Sequence, residues 1–372
     1  MDRASISAPQ LIVSGTYRSG TTLVQKRLDA HRSCAVVMQP AVPFFRMLRE
    51  CLHRAGAPVS DPTGPMGIAF PNEPTALSGM LRRLVIGGAE VHRAISDTAT
   101  LARSQAERGD RDGLQPRMVD ALRTHLRPGT AMEVIEGFFA ALRAYRGAAA
   151  GTCIGFKDVY IQEIIDGMLG ADDPDLRVIL VLRDPRAVLA SRNFGAFRGA
   201  IDGPNQHPLL LVARMWTSAA RWQRALLQRY PGRVHALSYE QLVTQRQATM
   251  DALWRFIGVN PDDAGGDETL RCESGRPWTR NSSYSESGDV TRSDWRAVLP
   301  RETIGALEFL CGDDMIRHGY EPTMNLDERR KGFSAFAESE DRLVPWTRLP
   351  DFILNERTRQ RELAARVSAS AA

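Results

Sequence analysis

The chain has 372 residues, 43% of them hydrophobic, with 48 Lys+Arg against 44 Asp+Glu. That length accommodates one large α/β domain with insertions or two smaller domains, and a net charge of +4 is too mild for bulk nucleic-acid binding. The five cysteines share no C-x-x-C spacing, so neither a disulfide framework nor a zinc site is indicated. In chain order, the start MDRASISAPQ has no apolar h-region, and no stretch of about 18 apolar residues follows anywhere; the expectation is a cytoplasmic protein with no membrane span and no nucleic-acid partner. Leu11–Val13 is a short apolar run that stops at Ser14-Gly15, as a buried parallel strand does, and Thr21–Ala30 then reads as a helix. Residues 40–150 carry helical stretches (Val42–Arg54, Leu77–Arg108, Pro116–Leu126, Thr130–Arg146) without strand-like runs, which predicts a helical insertion after the first strand–helix unit. Strands return at Thr152–Phe156, Arg177–Leu182 and Arg233–Leu237. Helical patterns follow them at Ile161–Leu169, Pro185–Phe197 and Tyr239–Ile257, with a long helix at Leu209–Arg229. Strands alternating with helices at this spacing imply a parallel sheet with right-handed crossovers. Residues 258–298 are polar and loop-like, a helix is expected at Arg301–His318, and 331–372 reads as a peripheral tail on a single 1–330 domain.

Between the first strand and first helix lies Gly15-Thr16-Tyr17-Arg18-Ser19-Gly20-Thr21-Thr22. In that context successive backbone N–H groups and the helix N-terminus converge on an anion. Gly15 and Gly20 have Walker A spacing, but Thr21-Thr22 stands where a Walker loop carries Lys-Ser/Thr, and the positive charge comes earlier, from Arg18. The segment LIVSGTYRSGTTLVQKRLDAH resembles the 5′-phosphosulfate loop of sulfotransferases that use 3′-phosphoadenosine-5′-phosphosulfate (PAPS). It is most similar to the tyrosylprotein and carbohydrate branch, whose loop reads P-R-S-G-T-T followed by L-D-A-H; Tyr17 replaces the proline frequent there. The resemblance implies a P-loop-type α/β fold. It also implies that Tyr17, Arg18, Ser19, Gly20, Thr21 and Thr22 hold the 5′-phosphate and sulfuryl group. RVILVLRDPRAVLASR places Arg183 at a strand end with Ser191 in the next helix, a guanidinium and a hydroxyl suited to a dianionic phosphate. It resembles the family's 3′-phosphate motif. LSYEQL resembles the segment that brings a Tyr, here Tyr239, near the nucleotide. RNSSY resembles the late Ser-bearing loop, which implies Ser282 at the cofactor and Ser283 near the sulfuryl group. Trp216 and Trp295 read as core packing.

Sulfuryl transfer needs fixed cations where charge grows, and no metal-ligand cluster is evident that would supply one. Lys157 follows a strand at its carboxyl end, where the family has a lysine that stabilises the transition state, and it is one of only three lysines in the chain, with Lys26 and Lys331. The family's general bases are not matched. Gln39 stands at the position of the tyrosylprotein branch's Glu, and Val159 at that of the cytosolic enzymes' His. Asp158, His31, His53, Glu133 or Glu136 could act instead, or the acceptor could need orientation only. The expectation is therefore a PAPS-dependent enzyme acting on a hydroxyl of a small molecule, glycan or peptide and releasing 3′-phosphoadenosine-5′-phosphate (PAP). An atypical P-loop nucleotide kinase and a non-catalytic nucleotide-binding protein are the alternatives.

Overall fold

Five short apolar runs pair side by side because each is bounded by loop-forming residues and buries both of its faces. They are β1 (Gln10–Gly15), β2 (Cys34–Met38), β3 (Cys153–Lys157), β4 (Leu176–Leu182) and β5 (Val234–Ser238), in the order β2-β3-β1-β4-β5, all parallel. The computed structural model describes residues 9–58, 77–159, 161–170, 175–191, 209–263, 270–278, 280–281, 284–285 and 294–337.

The alternation of side chains along each strand builds a core on either face. Ile12, Val37, Phe156, Val178 and Leu180 pack with Phe44, Phe45 and Phe138 on one side. Leu11, Val13, Val36, Ile179 and Val181 pack with Leu23, Val24 and Leu253 on the other. Helix α1 (Thr21–Asp29) and helix Arg246–Ile257 cover the second face, while α2 (Val42–Arg54) and helices Ala131–Arg146, Gln162–Leu169 and Leu209–Arg229 cover the first. The registers Met38↔Lys157, Val13↔Lys157, Gly15↔Val181 and Leu182↔Ser238 align the carboxyl ends of all five strands. Strand order reverses about β1, and ligands of open α/β sheets bind at such a switch point.

Strand β2 is a departure from the sequence reading, which names no strand there. Cys, Ala and Met are weak strand formers, and CAVVM follows the first helix after only a short turn. As an edge strand it leaves outward backbone groups, and side chains meet them: Val36 N–H donates to Asp29 Oδ1 (2.8 Å), Met38 N–H to Glu273 Oε1 (2.9 Å), and Gln25 Nε2 to Val36 O (2.5 Å).

The expected helix Leu77–Arg108 is two helices, Ser78–Arg83 and Gly88–Glu107. Between them Val85–Ile86 pairs antiparallel with Gly129–Thr130, so the insertion is not strand-free. Tyr239–Ile257 likewise breaks at Gln245, where Tyr239–Thr244 ends and Arg246–Ile257 begins. Near the described C-terminal end, helix Leu326–Ala337 runs through the boundary expected at 330/331 and packs on helix Arg301–Arg317, with buried Phe333 stacked on Phe309 at 4.8 Å. The part of Pro185–Phe197 beyond Ser191, and His207, lie outside the described residues.

Candidate active site

The loop after β1 is shaped by its backbone. Arg18 sits at φ +61° and Gly20 at φ +91°, and Ser19 closes the turn by donating its N–H and its Oγ to Thr16 O (3.3 and 2.7 Å). Gly20 is the N-cap of α1, and no side chain caps that end, so the first-turn N–H groups have no partner within the helix. Only glycine fits at position 20: a Cβ would lie 2.4 Å from Tyr239 Cδ2, in a conformation that L side chains rarely adopt. Thr16 Oγ1 and Ser14 Oγ are buried without a hydrogen-bond partner beside this turn.

The sheet's carboxyl edge gathers the predicted residues from separate strands. A cavity of about 140 Å³ is lined by residues from the β1–α1 loop (Tyr17, Arg18, Gly20, Thr21, Thr22), by Met38 and Gln39 after β2, by Lys157 and Val159 at β3, and by Tyr239 after β5. A larger adjoining space of about 500 Å³ is lined by Arg183, Asp184, Tyr239, Glu240, Trp295 and Arg296, among others, so Tyr239 belongs to both. Arg18 Nε donates to Ser191 Oγ (3.2 Å), and Arg183 Nη1 donates to Arg18 O (3.2 Å). The Arg183 guanidinium lies 4.3 Å over the Tyr239 ring. Two motifs about 165 residues apart are thus joined directly through Arg18, and all these residues except Ser19 and Ser191 line one or other space. Ser19 is a buried brace of the turn, and Ser191 is buried behind Arg18. Ser282 and Ser283 lie outside the described residues.

Burial tunes the charges. Desolvation pushes Lys157 down to about 8, opposed in part by the neighbouring Asp158 carboxylate and reinforced by Arg18. Burial raises Asp158 to about 6, while its Oδ1 accepts the Val159 N–H (2.9 Å) and Oδ2 has no partner. Burial also lowers Arg18 and raises Tyr17 and Tyr239, so both phenols stay protonated at neutral pH.

Among the described residues, none that lines the smaller cavity is a carboxylate or an imidazole. Gln39 lines it, held at φ +44° with its N–H on Lys157 O (2.9 Å), and Val159 lines it too. The other base candidates are placed elsewhere. His31 is buried between Asn260 O and the Ser33 N–H, Glu133 is an exposed capping-box residue with Thr130, and His53 and Glu136 are exposed. Asp158 sits behind Lys157 rather than on the cavity wall.

The contributions of four residues to the site escaped the sequence reading. Arg186, in the same R-D-P-R run as Arg183, is buried between Asp184 (2.8 Å) and Glu308 (2.6 Å) and stacks on Trp295 at 4.3 Å. Trp295 therefore packs as expected yet also lines the larger space, and Trp216 supports the site by donating Nε1–H to Arg183 O (2.8 Å). Lys26, the second of the three lysines, is buried and bonded to Asp112 (2.5 Å). The repeated basic residue in R-D-P-R was a signal for Arg186; nothing local marks Lys26.

Among the described residues no cluster of His, Cys, Asp or Glu could hold a metal ion, and no helix is long and apolar enough to cross a membrane. Residues 165–263 match the model of the Sulfotransferase family, covering β4, β5 and the helices between and after them. Human carbohydrate sulfotransferase 6 is 28% identical over 210 residues, 49% of this chain and 53% of that protein. Mouse carbohydrate sulfotransferase 5 is 23% identical over 353 residues, 86% of this chain and 82% of that protein. The chain thus spans about half the length of the human relatives. Among solved structures, the sulfotransferase domain of a Synechococcus olefin synthase covers 86% of this chain and 98% of its own, at 18% identity and a TM-score of 0.48. Over residues 165–263 the chain is similar to the sulfotransferase family. Within it, the similarity runs to the carbohydrate sulfotransferases.

Proposed function

We propose that the protein transfers the sulfuryl group of PAPS to a hydroxyl of a small molecule, glycan or peptide, and the names of its relatives favour a carbohydrate hydroxyl. The observation that carries this reading is the junction of Arg18, Ser191 and Arg183 beside Lys157, with the Tyr239 ring packed against Gly20 where a side chain would otherwise stand. The residues fit such a donor: a glycine cradle at an uncapped helix N-terminus, two unbonded hydroxyls, two buried cations, Lys157 and Arg183, and the half-buried Arg18. The N–H groups of Gly20, Thr21 and Thr22 with Arg18 would hold the 5′-phosphate and sulfuryl oxygens. Arg183 and Ser191 would take the 3′-phosphate, and Tyr239 a face of the nucleotide. Bound, the donor would supply an activated sulfuryl group: the acceptor oxygen would gain it as the bond from sulfur to the 5′-phosphate oxygen breaks, PAP would leave, and the acceptor's proton would pass to the leaving phosphate or to water.

Lys157 meets the charge that grows during transfer, because its ammonium is desolvated and lines the cavity. With Gln39 and Val159 in place of a base, the cavity activates the acceptor by position rather than by proton abstraction.

Calorimetric titration with PAP and AMP tests the donor reading. PAP is expected to bind at least about tenfold tighter, since Arg183 and Ser191 meet a phosphate that AMP lacks; equal affinities overturn it. Transfer of radiolabelled sulfate to an acceptor panel should fall by about 10²- to 10³-fold in Lys157→Ala with PAP affinity little changed. PAP binding without transfer to any acceptor would assign a non-catalytic role, and magnesium-dependent ATP turnover would assign a kinase.

A further inference from the structure

A second cavity, of about 600 Å³, opens beside the edge of β2. Its lining carries five basic side chains against two acidic ones, Asp29 and Glu273. Both carboxylates are already held. Arg146 pairs with each of them, and Glu273 also accepts from Tyr145 Oη (3.1 Å) and from Met38 N–H. Asp112, next to Lys26, is taken by that ammonium and by the Glu273 N–H (3.3 Å). Among the described lining residues an entering cation would therefore find no carboxylate to spare; Lys26, Arg146 and Arg32 are likewise held in ion pairs, Arg32 with Asp263, so an entering anion would meet chiefly the guanidinium groups of Arg117 and Arg271. These two come from separate elements. Arg117 comes from helix Pro116–His125, resting 4.9 Å over the Tyr145 ring, and Arg271 comes from the 270–278 loop, bracing Gly275 O (3.2 Å). Gln115 and Ser274 add neutral hydrogen-bonding groups to the lining.

This space adjoins the sulfuryl cavity. Met38 lines that cavity, and its N–H is bonded to Glu273 of this one. Lys26 and Asp112 lie near enough to Lys157 to act on its charge, in opposite directions.

We propose that the second cavity seats the anionic group, a carboxylate or a sulfate ester, of a polar acceptor. The volume suits roughly one or two sugar rings, within the usual range of ligand pockets. This inference rests on the sulfuryl-transfer reading of the adjoining site. It gives Arg117 and Arg271 a role in choosing the acceptor, and none in holding the donor.

The test is calorimetry on the PAP-loaded protein with three probes: p-nitrophenyl β-glucoside, its 6-sulfate, and p-nitrophenyl β-glucuronide. At least one anionic probe should bind about tenfold tighter than the neutral glucoside, as expected for two charge-assisted contacts. The stronger of the two identifies the anion. Raising salt from about 50 to about 500 mM should shrink the preference, because rim charges are screened. In the Arg117→Gln/Arg271→Gln variant the preference should fall to about twofold or less, with PAP affinity and Tm unchanged. Equal binding of all three probes, or a preference that survives in the variant, overturns the proposal. If PAP itself fails to bind, the transfer reading falls, and the same probes on the PAP-free protein still decide whether this cavity takes an anion.

Discussion

Lys157 is a buried ammonium at the end of β3, and burial costs it protons: its pKa drops from 10.5 to about 8. Two consequences follow from the sign. The folded chain holds this proton less tightly than the unfolded chain, so this residue's contribution to stability rises as pH climbs from about 8 to 10.5. If the ammonium is the form that works, kcat/KM should fall above about pH 8, since it reports the donor-free enzyme. The alkaline limb of kcat should lie higher, because a bound polyanion raises a neighbouring lysine's pKa. Lys157→Arg should remove the alkaline limb from both profiles while losing rate, as a guanidinium stays charged but is planar and differently placed. A pH–rate profile that keeps its limb near pH 8 in Lys157→Arg would assign that titration to another group. At this scale the sequence was legible in setting Gly20, Arg18, Arg183 and Lys157 beside strand ends, where the structure gathers them around the two spaces. It was silent on Lys26, whose partner Asp112 is 86 residues away and meets it only through the fold.

The edge strand shows what a pattern of elements hides. CAVVM carries no strand signature of its own, and what holds it at the edge comes from remote places: Asp29 at the end of α1, Glu273 in a loop 235 residues beyond Met38, and Arg146 closing the last turn of helix Ala131–Arg146. The four helical readings in the insertion were legible from their apolar spacing, whereas the break at Leu84–Gly87 depended on pairing with Gly129–Thr130, a tertiary event. Arg146 joins the two carboxylates that accept from the β2 backbone and is only 19% exposed. Arg146→Ala leaves both without a cation. It should cost about 3 kcal/mol, the low end for a broken buried pair given that exposure. For a chain of this length that is a fall in Tm of about 5 °C by thermal denaturation. Arg123→Ala, which breaks an exposed pair with Asp120, should change stability by less than about 0.5 kcal/mol. Equal effects of the two would mean that β2 is not held by this network.

Across the whole molecule, the described C-terminal helix braces the donor side of the site from a distance. Gly305 and Gly332 let helices Arg301–Arg317 and Leu326–Ala337 approach until a Cβ on Gly332 would sit 2.6 Å from Glu302 O and 2.8 Å from Ala306 N, backbone atoms that cannot swing aside. On the first of these helices, buried Glu308 accepts from Thr323 N–H (2.9 Å), Thr323 Oγ1 (2.8 Å) and Met324 N–H (3.1 Å), and pairs with Arg186. Arg186 also donates to Glu321 O (3.0 Å) and stacks on Trp295, which lines the same space as Arg183. The chain of contacts therefore runs from the helix pair to the proposed 3′-phosphate pocket. A branched side chain at position 332 must push the helices apart and loosen the turn that Glu308 organises. Gly332→Val should lower Tm and weaken PAP binding by about 0.5–2 kcal/mol, roughly 2- to 30-fold. Gly88→Ala, where a Cβ meets nothing within 4 Å, should alter neither. Ser191→Ala should weaken PAP binding with little effect on Tm, because it removes one hydroxyl beside Arg18 and no packing. If Gly332→Val lowers Tm and leaves PAP affinity untouched, the helix pair supports the fold alone, and the path through Glu308, Arg186 and Trp295 carries no coupling to the site.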